Sequence, residues 1–182
     1  MALAAQPAFG LRRLVLNDVG PAIEWLALQR IGQYLGAPVR FDSLQQAADA
    51  MWIMSSSFGP HTAQQWLELS RHMVRTLPDG GLAMHYDPAI AQAFKAMTPE
   101  VSAASAMQLW QLYDRIHART LLLRGAQSDL LSPETAQAMV HRGPMAKLVE
   151  FEGVGHAPTL MAQDQVQVVS EFLLAPEATV AA

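Results

Sequence analysis

The chain has 182 residues, 51% of them hydrophobic and 15% charged, with a formal net charge of −4 and no cysteine. That balance describes a globular chain long enough for its own core, and it excludes disulfides and thiolate metal sites. With no run of Lys or Arg, nothing in it favours nucleic acid or an anionic membrane as a partner. No stretch approaches the roughly 18 apolar residues of a membrane span, and the N-terminus has neither a basic n-region nor a long apolar h-region. A cytoplasmic location is the default expectation.

Leu11 to Asn17 is a short β-rich run bounded by Gly10 and by Gly20-Pro21, which predicts a buried parallel strand. Pro21 and Gly36 then bracket a helix on which Trp25, Leu28, Ile31 and Leu35 recur at helical spacing. Capping boxes of the form Ser/Thr-x-x-Gln mark three further helix starts: Ser43 with Gln46, Thr62 with Gln65, and Ser105 with Gln108. The second of these helices should carry Trp66, Leu69, Met73 and Leu77 on one face and stop at Pro78-Asp-Gly-Gly81. Helices without strands between about 22 and 117 predict an excursion from the sheet. The sheet resumes with Thr120 to Arg124, and Ser132 as N-cap with Pro133 behind it opens another helix. Lys147 to Phe151 reads as a last strand, Asp164 to Leu174 as a last amphipathic helix, and the tail from Ala175 is expected to fray. Strand, helix, strand, helix with right-handed crossovers predicts a parallel sheet.

The segment most able to carry chemistry is Leu121-Leu-Leu-Arg-Gly125-Ala-Gln-Ser-Asp129-Leu-Leu-Ser132-Pro133-Glu, with Gly153-Val-Gly155-His156-Ala-Pro158 after it. Each is a strand end with a Gly-marked turn, the first presenting an acid and the second a histidine. An acid that fixes the tautomer of an imidazole leaves the other ring nitrogen able to take a proton from a nucleophile. His156 is therefore the candidate base and Asp129 the candidate acid. The plainer alternatives are an ordinary loop histidine and an Asp that caps its own turn. Asp18 is a weaker rival, since its Asn17-Asp18-Val-Gly-Pro21 turn calls for a local side-chain-to-backbone bond.

The nucleophile is missing: no Gly-x-Ser-x-Gly or variant of it occurs. Ser55, Ser56 and Ser57 fall in or at the end of a predicted helix rather than in a strained strand-to-helix turn. Met51, Trp52, Met54, Phe58, Trp66, Met73 and Met84 suit either the insertion's own core or an irregular apolar ligand. His61, His72, His85, His117 and His141 show no metal-ligand spacing and read as surface or locally bonded. No pattern calls for a cofactor.

In their order, the acid and histidine motifs resemble the end of an α/β-hydrolase, where the triad runs nucleophile, acid, histidine along the chain. Leu11-Arg-Arg-Leu14-Val-Leu-Asn17-Asp18-Val-Gly20-Pro21 resembles the strand that follows that family's nucleophile-bearing helix, and Met1-Ala-Leu-Ala-Ala-Gln-Pro7 the back half of the helix itself. The resemblance covers essentially the whole chain but only the C-terminal part of the family's domain. It implies an incomplete α/β-hydrolase fold, a short parallel sheet with a helical cap. Residues 1–21 would be the helix end and first strand, 22–117 the cap, and 118–182 the core with acid and histidine. It further implies hydrolysis of a small carboxylic ester or lactone by a Ser-Asp-His triad, without cofactor, and a chain inactive alone for want of its nucleophile. Some family members place the acid where Asp18 stands, and others are dehalogenases, epoxide hydrolases or C–C hydrolases. The alternative is a non-catalytic binding protein on a truncated hydrolase scaffold, self-associating or pairing with another chain through an exposed sheet edge.

Overall fold

The computed structural model describes residues 1–176. Its centre is a parallel three-stranded sheet in the order β1 (Arg13–Asn17), β4 (Arg119–Gly125), β5 (Lys147–Phe151). Leu14 stands beside Thr120 and Leu16 beside Leu122, while Leu122 also faces Leu148 on the other side. The middle position explains the unbroken apolar run of β4: a strand hydrogen-bonded on both edges and covered on both faces has no use for polar alternation. Leu122 packs downward with Leu16, Tyr113, Leu131 and Met139. Leu121 and Leu123 point the other way, onto Phe151, Val154 and the apolar side of the final helix through Val168, Val169 and Phe172. The strand thus divides its leucines between two layers, one covered by α6 (Pro133–Val140), the other by α7 (Gln163–Leu174).

Between β1 and β4 the chain forms α1 (Trp25–Tyr34), α2 (Leu44–Ser55), α3 (Ala63–Arg71), α4 (Ile90–Lys95) and α5 (Pro99–Tyr113). It also forms something the helical reading omits. Strands β2 (Val74–Thr76) and β3 (Leu82–Met84) pair antiparallel, so the insertion is not free of strands. Pro78-Asp-Gly-Gly81 is the turn of this hairpin rather than a helix stop: Asp79 Oδ1 accepts from Gly81 N at 3.0 Å, and Gly80 sits at φ +82°. Phe41 adds a bridge to Leu82 on the far side, with both backbone bonds at 2.8 Å. α3 accordingly ends at Arg71, and Met73 and Leu77 belong to the hairpin instead of the helix stripe. Met51, Trp66, Phe58, Met73 and Met84 gather in one cluster, the insertion's own core.

The caps divide as well. Thr62 and Gln65 form the full reciprocal box. Ser43 accepts from Gln46 N, while the Gln46 side chain turns to Asp42 N at 2.6 Å. Ser105 and Gln108 lie inside α5, whose start is Thr98 followed by Pro99. The N-terminus makes one helical turn, Ala5 N to Met1 O at 3.0 Å, then a 3₁₀ turn over Pro7–Phe9, where a longer helix end is expected. Ser132 caps α6 as predicted, and the tail after residue 176 lies outside the described residues.

Candidate active site

Three turns meet at the C-terminal ends of the three parallel strands. The first follows β1, where Asp18 takes a left-handed backbone at φ +53°, a conformation Asp tolerates better than most residues. Its N–H is held by Leu123 O at 2.8 Å, and its side chain is 0% exposed. A bare carboxylate could not remain there, and this one is not bare. Gly125 N donates to Oδ1 at 3.1 Å, Ser128 Oγ to Oδ2 at 2.6 Å, and His156 Nδ1 lies 2.7 Å from Oδ2.

Those distances fix the ring. A carboxylate already taking donors from Gly125 and Ser128 acts as acceptor, so Nδ1 carries the proton toward it and Nε2 keeps its lone pair. The His156 side chain is 26% exposed, and Nε2 makes no hydrogen bond among the described residues. A partly exposed imidazole steadied by a buried acid, with Nε2 left free to accept, has the geometry that general-base chemistry requires.

The acid expected to do this, Asp129, does something else. Its side chain is 55% exposed and accepts from Arg30 Nη2 of α1 at 2.7 Å, so the pairing assigned to Asp129 belongs to Asp18. The reason lies in the turn after β4. Ser128 Oγ takes Leu130 N and Leu131 N at 3.2 Å each, a local turn that points the serine inward and sends Asp129 outward. Arg124, itself buried, braces that turn by donating to Leu131 O at 2.8 Å and to Glu150 at 2.7 Å. Gly125 sets how near the histidine loop can come: a Cβ there would stand 2.2 Å from Gly155 O and 2.5 Å from Val154 O, so glycine lets that loop lie against the end of β4, where Gly125 N also bonds Asp18. The signals were present in the sequence as Gly125, Ser128 and the acid beside Asn17.

The electrostatics near Asp129 are those of a surface cluster. Burial pushes the Tyr34 hydroxyl above the ordinary tyrosine range; the Arg30 guanidinium opposes this and the Asp129 carboxylate adds to it. Ser55, Ser56 and Ser57 close α2 and the 3₁₀ turn after it, in no strained strand-to-helix turn, as expected.

No family model matches the chain. A 3-hydroxybutyrate-oligomer hydrolase of Cupriavidus necator is 42% identical over 175 residues, covering 94% of this chain and 60% of that protein. An α/β hydrolase of Novosphingobium aromaticivorans superposes with a TM-score of 0.80 at 34% identity, over 94% of this chain and 59% of its own. The chain has the fold of the C-terminal part of an α/β-hydrolase. An E-2-(acetamidomethylene)succinate hydrolase shares that fold at a TM-score of 0.72 and 19% identity, over 93% of this chain and 60% of its own. The chain thus spans about 60% of the length of the relatives it matches.

Proposed function

We propose that the chain supplies the acid–histidine pair and the cap of a carboxylic-ester hydrolase, with short 3-hydroxybutyrate oligomers as the substrate class. The observation that carries this is the 2.7 Å contact between His156 Nδ1 and the fully buried Asp18. The oligomer substrate is taken from the relative in Cupriavidus necator. In the proposed reaction a serine from a segment outside these residues attacks the ester carbonyl while His156 Nε2 takes its proton. Asp18 steadies the imidazolium, which returns the proton to the departing hydroxy-acid oxygen. Water then repeats the sequence on the acyl-enzyme. The residues between β1 and β4 would cover the site as its cap. Asp129 has no step in this scheme.

A second reading rests on β1, which has β4 on one side only among the described residues. Its other edge presents unpaired backbone groups and could receive a strand from another chain.

The test is hydrolysis of 3-hydroxybutyrate trimer and of p-nitrophenyl butyrate by two proteins. One is the 182-residue chain; the other is the same chain preceded by its in-frame upstream sequence through a Gly-x-Ser-x-Gly elbow. The short form is expected at background and the long form to turn over. His156→Ala should reduce the long form by on the order of 10⁴-fold or more, since triad members act as a unit. No turnover by the long form sinks the ester reading. Turnover by the short form, abolished by changing one of its own serines, sinks the division of labour.

A further inference from the structure

The loop that carries His156 is held by more than Asp18. Asn17 Nδ2 donates to Pro158 O at 2.9 Å from the end of β1, and the buried Gln165 of α7 accepts from Leu160 N at 2.8 Å. Both ties come from the core. Gln127 N, in the turn after β4, adds a bond to Val154 O at 2.9 Å, and two more ties come from the insertion, through the segment that leaves α2. Gly155 N donates to Ser57 O at 2.5 Å, and His61 Nε2 lies 2.8 Å from Thr159 Oγ1. The two segments touch closely along their length. A Cβ on Gly155 would stand 2.9 Å from Ser57 Cβ, and one on Gly59, at φ +117°, would stand 3.1 Å from Val154.

The tautomer of His61 follows from its partners. Nδ1 lies 2.8 Å from Gly59 O, and a carbonyl only accepts, so Nδ1 carries the proton. Nε2 is then an acceptor, and the Thr159 hydroxyl donates to it. His61 is thus a two-ended tie: one nitrogen closes its own turn, the other reaches the histidine loop three residues past His156.

We propose that His61, acting through Thr159, is a positioning residue for His156, so that the insertion and the general base are held as one unit. Residues 57–61 form a strap laid across the histidine loop, and displacing the insertion would pull on the imidazole that Asp18 aligns. The proposal rests on the reading of His156 as the base, but its first test does not require catalysis.

That test follows the Nδ1 proton of His156 by nuclear magnetic resonance in the 182-residue chain. In the unaltered chain the proton should be resolved at low field, bound to Asp18. His61→Ala and Thr159→Val each remove the cross-tie, and each should speed exchange of that proton with water by about tenfold, the size of one lost neutral hydrogen bond. The double variant should be no faster than either single one, because both remove the same bond. His61→Gln, whose carbonyl reaches the position of Nε2, should restore slow exchange. His61→Asn, which can only serve Gly59, should not. A strap that merely stabilised its own turn would give the opposite order, and that result overturns the proposal. So does unchanged exchange in Thr159→Val, which alters one hydroxyl and carries the test if His61→Ala does not fold. A chain with no protected His156 proton would remove the pair on which the strap acts and overturn it too. In the long form, His61→Ala should lower kcat on the order of 10-fold to 100-fold with KM little changed, as expected for a misplaced group. Loss of ester turnover with the exchange pattern intact would count against the substrate reading alone.

Discussion

The turns after β1 and after β4 each end a strand of the parallel sheet and each present an aspartate, yet the two carboxylates have opposite surroundings. Asp18 is shut away from water and takes donors from Gly125, Ser128 and His156. Asp129 is 55% exposed and faces one arginine that is itself 42% exposed. The strand end supplies both with a place near the site, so position in the topology does not distinguish them. The distinction is made by side chains and backbone one to five residues before Asp129: a serine that turns inward, a glycine against which the histidine loop packs, and an arginine that braces the loop. An acid works through an imidazole when neighbours satisfy and desolvate it, and these neighbours do that for one aspartate alone.

The largest expected effect breaks the comparison at its buried end. Asp18→Asn keeps the side-chain shape, and asparagine accepts the left-handed backbone at least as well as aspartate. What it loses is the charge and the demand for a proton on Nδ1. Its amide can donate to Nδ1 instead, leaving the proton on Nε2, where it cannot receive one from a nucleophile. The long form should lose about 10⁴-fold in kcat, the scale on which a wrong tautomer disables such a pair. Nitrogen chemical shifts of His156 should show the tautomer reversed in the 182-residue chain. A loss of less than tenfold would return the acid's role to another residue.

The sheet and its parallel sense were legible because its strands leave short apolar runs between Gly and Pro marks, although β1 begins at Arg13, two residues inside its run, and β4 alone of the three is buried almost throughout. The turn that presents His156 was legible for a similar reason, its loop needing glycine on both sides. The carboxylate that His156 meets was not. Asp18 and Asp129 both follow such runs, and which of them His156 meets depends on the turn after β4, where Ser128 bonds inward to Asp18 and Asp129 faces outward to Arg30. The hairpin in the insertion was missed for a different cause. Met73 and Leu77 continue the spacing of Trp66 and Leu69, so helical periodicity runs on past the point where Val74–Thr76 pair with Leu82–Met84. Short strands of three residues have too few alternations to outweigh it.

An intermediate effect is expected where the two turns meet. Gly125 donates to Asp18, ends β4 and lies against the carbonyl of Val154, so Gly125→Ala forces a methyl into backbone that has nowhere to go. Overpacking of this kind costs about 1–3 kcal/mol. In a chain of this size that lowers the melting temperature by roughly 2–12 °C. Because the strained contact joins the acid turn to the histidine loop, the variant should also speed exchange of the His156 Nδ1 proton. A melting temperature within a degree of the parent would mean that the loops separate without cost and that Gly125 does not set their approach.

The smallest effect tests the exposed end. Asp129→Asn removes one partner of a solvent-facing ion pair to Arg30, and pairs of that kind are worth about 0–1 kcal/mol. Stability should fall by no more than that, and ester turnover by the long form should stay within about tenfold, since the carboxylate touches neither His156 nor Asp18. One local signal should nevertheless move. The Asp129 charge helps to hold the Tyr34 hydroxyl above the ordinary tyrosine range, because a nearby anion opposes a second negative charge. Removing that anion leaves burial and the Arg30 guanidinium, so Tyr34 should ionise at lower pH in the variant, as read from tyrosinate ultraviolet absorbance against a Tyr34→Phe control. The direction is set by sign: losing a negative neighbour favours the anion. A large loss of turnover in Asp129→Asn, with Asp18→Asn mild, would reverse the roles of the two turns; the expected pattern is a shifted tyrosine beside an unaffected histidine.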